Sequence, residues 1–230
     1  MKFKNPIKEL TRFELCLWLI SVLVILISFA FVAEKNYLTL LTSLLGATAL
    51  IFLAKGFVFG QVLILIFSLL YGIISLGFSY YGEMITYLGM AAPIAVFSIV
   101  SWLKHPYKKT REVKVADVSL KQVIFMMLLT CAVTVAFYFL LKLLNNSNLI
   151  ISTISVSTSF LAAYLSLLRS PFYALGYAAN DVVLIVLWVL ASIENLIYLP
   201  MIVCFIVFLV NDMYGFFNWR RMHKRQKMNK

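Results

Sequence analysis

Along the stretch 171–192, Tyr173, Tyr177, Asn180, Asp181, Leu184 and Trp188 recur at spacings of three, four and seven residues. On a helix that spacing gathers aromatic rings, an amide and a carboxylate on one face. A second polar stripe, Gln61, Ser68, Tyr71, Gly72 and Ser75, runs along 57–79. Both stretches are otherwise strongly apolar. An acidic side chain at mid-bilayer costs about 2.5–3.5 kcal/mol even on lenient insertion scales, so Asp181 must face protein or a water-filled cavity. Two such stripes make a substrate or permeation site. Asn180 and Asp181 then serve polar recognition, Tyr173, Tyr177 and Trp188 stack a ring, and Gln61, Ser68 and Tyr71 form the facing wall. Asn211, Asp212 and Tyr214 are expected at the cytoplasmic end of the path or its gate, with Trp102 and Trp219 closing the ends of their own stretches. Asp212, nearer a helix end, is cheaper to place than Asp181. Interhelical hydrogen bonding that only fixes packing is the competing reading for Asn180 and Asp181. The hydroxyls Ser152, Thr153, Ser155, Ser157, Thr158 and Ser159 read as packing, because small hydroxyls allow close approach and bond to the preceding turn.

The elements that must position these residues follow from composition. The 230-residue chain is 63% hydrophobic and only 13% charged, with a mean hydropathy of +0.97. Soluble domains are about 45–50% apolar and carry about twice this share of charged residues, so a soluble globule, a disordered chain and a nucleic-acid-binding domain are excluded. Cys16, Cys131 and Cys204 lie in apolar runs without CxxC spacing and read as small hydrophobes, not as a disulfide scaffold or metal ligands. Apolar stretches at 15–33, 37–54, 57–79, 84–103, 122–144, 148–168, 171–192 and 196–217 predict an all-α polytopic membrane protein of eight transmembrane helices. Their polar punctuation is short, for example Glu34-Lys35-Asn36, Tyr81-Gly82-Glu83 and Asn145-Asn146-Ser147-Asn148, except between the fourth and fifth stretches. Pro93 and Pro200 mark local bends or helix starts.

With the N-terminus in the cytoplasm, all but two of the 20 basic residues, Lys35 and Lys142, fall on the cytoplasmic side, Lys2, Lys4 and Lys109 among them. An even number of spans is therefore expected, with both termini cytoplasmic in a cell membrane. The net charge of +11 sits at the ends and in one loop, where it faces lipid headgroups and arrests translocation.

Two blocks resemble each other. Stretches 2–4 and 6–8 each carry a cation after the first helix, Lys55 or Arg169, and a Glu after the second, Glu83 or Glu194. Each ends on a Trp followed by basic residues, Trp102 or Trp219. Helix 5 becomes an inverting linker, giving two parallel three-helix bundles related by an axis along the membrane normal. The division reads 1–36, an N-terminal cytoplasmic segment and extra helix; 37–105, bundle 1; 106–144, a basic loop and the linker helix; 145–219, bundle 2; and 220–230, a basic cytoplasmic tail. His105 and His223 lack partners at metal spacing, and there is no Walker A sequence, GxSxG or paired acidic cluster. The reading is a non-enzyme without a cofactor, whose partners are a small molecule and the lipid bilayer, with no nucleic acid and with homo-oligomerisation left open.

Tyr81-Gly82-Glu83-Met84, Ser101-Trp102-Leu103-Lys104, Asn180-Asp181 and the run from Asn211-Asp212-Met213-Tyr214-Gly215 to Trp219-Arg220 resemble the PnuC family of vitamin transporters. The resemblance covers stretches 2–8. It implies a fold like that of the SWEET sugar transporters. It also implies facilitated diffusion of nicotinamide riboside, an NAD precursor, by alternating access, made unidirectional when a cytoplasmic kinase phosphorylates the substrate. Family members carrying that substrate tend to show Trp-x-x-Trp-x-x-x-Asn, and here the positions read Tyr173, Gly176 and Asn180. A pyridinium gains from aromatic faces, most from Trp, so a sister-branch substrate such as thiamin, riboflavin or a deoxynucleoside stays open. Asp181 could compensate by pairing a cation or binding a ribose hydroxyl. The alternative of a different class is a non-transporting membrane scaffold.

Overall fold

The computed structural model describes residues 6–32, 36–77, 80–108, 110–146 and 148–229. Among them run eight helices long and apolar enough to cross a bilayer, and no strand. They are α1 (Arg12–Ala30), α2 (Tyr37–Ala54), α3 (Val58–Gly77), α4 (Tyr81–Lys104), α5 (Leu120–Leu143), α6 (Leu149–Leu167), α7 (Tyr173–Glu194) and α8 (Leu199–Met228). Lys2, Lys4, Glu34, Lys35, Lys109 and Ser147, and the ends of the first and third apolar stretches at 33 and 78–79, lie outside the described residues.

Local chemistry sets the boundaries. Thr11 opens α1 and Ser119 opens α5, each through a capping box in which the hydroxyl accepts from the third residue's N–H and that residue's side chain returns the bond. Pro200 occupies the first turn of α8, where a missing N–H costs nothing. Inside α4, Thr86–Ala91 form a π-helical turn directly before Pro93, and the Ala92 N–H bonds Tyr87 O. Proline lacks an N–H and its ring collides with the carbonyl four residues back, so a locally widened turn keeps the helix continuous. Several boundaries differ from the hydropathy reading, and α1 runs Arg12–Ala30 where 15–33 was expected. α4 begins three residues earlier than expected, at Tyr81, and α8 runs unbroken through the basic tail to Met228.

α2 packs on α3 and α3 on α4, while α6 packs on α7 and α7 on α8; α2 also meets α8, and α4 meets α6. Only Met126, Thr130 and Leu141 of α5 are buried, so most of its surface is left for lipid. The two sets of helices share a recurring corner. Gly56 follows α2 with φ +68° and Arg169 follows α6 with φ +58°. The Gly56 N–H bonds Leu53 O at 2.8 Å and the Arg169 N–H bonds Ser166 O at 2.9 Å, each reversing the chain with a left-handed residue. From the opposite set, the Trp219 indole N–H reaches Leu53 O at 2.8 Å and the Trp102 indole N–H reaches Ser166 O at 2.9 Å. The preceding side chains follow suit: Asn218 Nδ2 donates to Ala54 O at 2.9 Å and Ser101 Oγ to Leu167 O at 3.0 Å. Each set thus lays the end of its last helix on the end of the other set's first helix.

Candidate functional site

The predicted stripes meet in the interior, in layers along α7. Nearest the basic end, Tyr173 packs edge-on against Trp219 with ring centroids 4.7 Å apart, and Trp102 lies 5.3 Å from Trp219. All three are almost fully buried. Gln61 on α3 sits in this region too, donating from Nε2 to Ser166 Oγ at 2.6 Å.

One to two turns further, the α7 stripe divides. Asn180 turns toward α6, where its Oδ1 accepts from Thr158 Oγ1 at 2.8 Å and Ser159 Oγ at 3.0 Å, with Ser155 Oγ at 3.4 Å. Asp181 turns toward α8, where its carboxyl faces that of Asp212, and the two interact directly. Both are buried, at 5% and 3% exposure. Ser155 Oγ lies 3.3 Å from Glu83 Oε1, which brings a third carboxyl, itself 3% exposed, into the group. Asp181 Oδ2 and Glu83 Oε2 are buried without a hydrogen-bond partner. Among the described residues no group of three acidic, His or Cys side chains is arranged to hold a metal ion. Unsatisfied carboxylate oxygens in an apolar interior cost several times what a surface acceptor costs, so their retention needs an account that packing does not give.

The next layer is aromatic. Trp188 Nε1 donates to Tyr71 OH at 3.1 Å, Tyr71 lies 4.4 Å from Tyr87 in the π-helical turn, and Phe67 and Phe205 complete the wall. Trp188 then meets Tyr80 at 5.2 Å and Tyr198 at 5.6 Å at the end opposite the basic residues. Ser68 is buried on α3.

Two expected path residues point elsewhere. Asn211 Nδ2 bonds Ser21 Oγ of α1 at 2.9 Å, and Tyr214 OH bonds Glu14 Oε1 of α1 at 3.0 Å. One residue along a helix is a 100° rotation, so Asp212 faces the interior while its neighbour Asn211 faces α1. Sequence reasoning placed Glu83 in a loop as punctuation and read Ser155, Thr158 and Ser159 as packing; Thr158 does bond the preceding turn, at Ile154 O 3.0 Å away, and all three hydroxyls also reach Asn180. A signal was available for Glu83: a carboxylate directly before an apolar run with no cation within a turn.

Residues 36–221 match the family model described as nicotinamide mononucleotide transporter. The chain belongs to the PnuC family. The nicotinamide riboside transporter PnuC of Neisseria mucosa is 28% identical over 221 residues, spanning 94% of this chain and 83% of that one. The crystal structure of the vitamin B3 transporter PnuC matches with a TM-score of 0.81 at 24% identity, over 94% of each chain, and shows that the fold is shared. As a PnuC family member this chain is a multi-pass membrane transporter, and the buried polar group between two aromatic layers lies at its centre.

Proposed function

We propose that this PnuC family member imports nicotinamide riboside through the interior between two repeated three-helix bundles, 37–105 and 145–219, joined by the loop and linker helix of 106–144. The observation that carries the reading is the facing pair Asp181 and Asp212, beside Asn180, with Asp181 Oδ2 left unsatisfied. Two carboxylates in a low-dielectric interior repel, and a positively charged guest such as a pyridinium relieves both the repulsion and the unmet hydrogen-bonding capacity. Asn180, Asp181 and Glu83 supply polar contacts; Tyr177, Tyr71 and Trp188 supply ring faces.

The bundles alternate access by rocking. The exchanged bonds from Trp102 and Trp219 hold the basic end shut, and the Tyr80, Trp188 and Tyr198 rings stand across the other. Both termini and the basic end face the cytoplasm, where phosphorylation of the riboside by a kinase retains it. Gly176 and Tyr173, in place of two ring-stacking tryptophans, favour a second reading in which the guest is thiamin or a deoxynucleoside.

The test is uptake of labelled nicotinamide riboside by cells expressing Asp181→Asn, alongside calorimetric binding of that compound, thiamin, riboflavin, thymidine and deoxyadenosine to the purified chain. Loss of a charge-assisted contact is expected to lower uptake about ten- to a hundredfold with the protein level in the membrane unchanged. Uptake and affinity left intact make Asp181 a packing residue. Tight binding of another member of the panel assigns the substrate to the sister branch.

A further inference from the structure

A cavity of about 740 Å³ opens between the basic ends of α1 and α8. Trp102, Tyr173, Asp181 and Asp212 are absent from its lining, so it is separate from the central polar group. Three cations border it: Lys55, Arg221 and Arg225. Lys55 is neutralised by Glu14 at 2.9 Å and Arg225 by Glu112, both also in the lining. Arg221 has no ion-pair partner among the described residues. The cavity therefore holds one uncompensated positive charge. Beside the charged groups stand Phe13 and Phe217, 62% and 54% exposed on helices that face the bilayer.

We propose that this cavity binds the headgroup of an anionic phospholipid, with Arg221 on the phosphate and the two phenylalanines against the acyl chains. A phosphodiester carries a single negative charge, which the one free cation matches; a dianionic phosphomonoester brings a second charge that Glu14 and Glu112 oppose. An amphipathic ligand is also what the lining asks for, because a free anion makes no use of the aromatic side. Basic pockets between helices at a membrane face bind lipid headgroups by this combination of charge and depth. The inference needs only that the chain spans a membrane and is independent of which substrate it carries.

The test uses native mass spectrometry of the full chain in detergent, titrated with dioleoylphosphatidylglycerol, with dioleoylphosphatidylcholine as the lipid of no net charge and glycerophosphoglycerol, the same phosphodiester headgroup, as the anion without chains. One dioleoylphosphatidylglycerol is expected to bind in preference to the choline lipid. Arg221→Gln is expected to weaken it about fivefold or more, the effect of one interfacial cation, and Lys224→Gln, on the exposed helix outside the cavity, to leave it unchanged. Glu112→Gln, which releases Arg225, is expected to tighten it. Equal retention of both lipids, equal losses at Arg221 and Lys224, or displacement by glycerophosphoglycerol at lipid-like concentrations each overturns the proposal, the last in favour of a free-anion site.

Discussion

Gly176 lies on the α7 stripe three residues after Tyr173, and its surroundings leave no room for a ring. A Cβ built there lies 2.9 Å from Ala162 Cα and 3.1 Å from Ala162 Cβ, so α6 and α7 meet backbone to backbone at this point. Nothing flexible can move aside. Gly176→Ala is expected to destabilise the purified chain by about 1 kcal/mol, and Gly176→Trp by roughly 3 kcal/mol or more, through overpacking; thermal unfolding measures both. A stable Gly176→Trp variant with tighter riboside binding contradicts this packing. The polar stripe of α7 was legible in sequence because period and residue type suffice to place side chains on one face. Its division was not: Asn180 and Asp181 are neighbours 100° apart, and which helix each one meets depends on the arrangement of α6 and α8, about which hydropathy says nothing. For the same reason Asp212 looked cheap to place near a helix end, whereas it is buried opposite Asp181.

At the scale of elements, the eight spans could be read from the chain because a bilayer imposes length and apolarity on every crossing. The use made of the two block-ending tryptophans could not. Each indole N–H shares a carbonyl, Leu53 O or Ser166 O, that already accepts the corner residue's N–H. Trp102→Phe or Trp219→Phe keeps a ring in the aromatic layer and removes one neutral hydrogen bond, worth about 1 kcal/mol. In a background free of other cysteines, with Tyr177→Cys as reporter, labelling from the basic side by an impermeant thiol reagent is expected to quicken about fivefold in either variant. The double variant is expected to depart from additivity, since the two rings lie 5.3 Å apart. Unchanged labelling means that these bonds do not hold that end shut.

Across the whole molecule, the segment between α4 and α5 acts as a strap. Its Val113 N–H bonds Gly56 O at 2.9 Å and its Ala116 N–H bonds Arg169 O at 3.0 Å, so one loop touches the corner of each helix set. The tail of α8 grips the same loop. Gln226 accepts from the Val115 N–H at 2.9 Å and donates to Val113 O at 3.1 Å, Arg225 pairs with Glu112, and Asp117 lies 2.9 Å from both Lys227 Nζ and His223 Nε2. The basic tail, which hydropathy leaves beyond the last span, is helical where it packs on the loop, a contact between residues 111 apart in the chain. The Lys227 hydrogen bond, aided by the charge of His223, holds the Asp117 carboxyl below its ordinary value of 3.8. A carboxyl lowered by folding adds stability at every pH above its unfolded value, and that contribution is lost as pH falls through the folded one. The strap is thus expected to stay closed from neutral pH down to about 4 and to loosen below it. Hydrogen exchange at the Val113, Val115 and Ala116 amides, corrected for the intrinsic pH dependence, should rise in that acid range in the native chain. In Asp117→Asn it should already be faster at pH 7 and lack the acid step, because the neutral side chain has no charge left to lose. An acid step that survives the substitution assigns it to Glu112, the other carboxylate that ties the loop to α8.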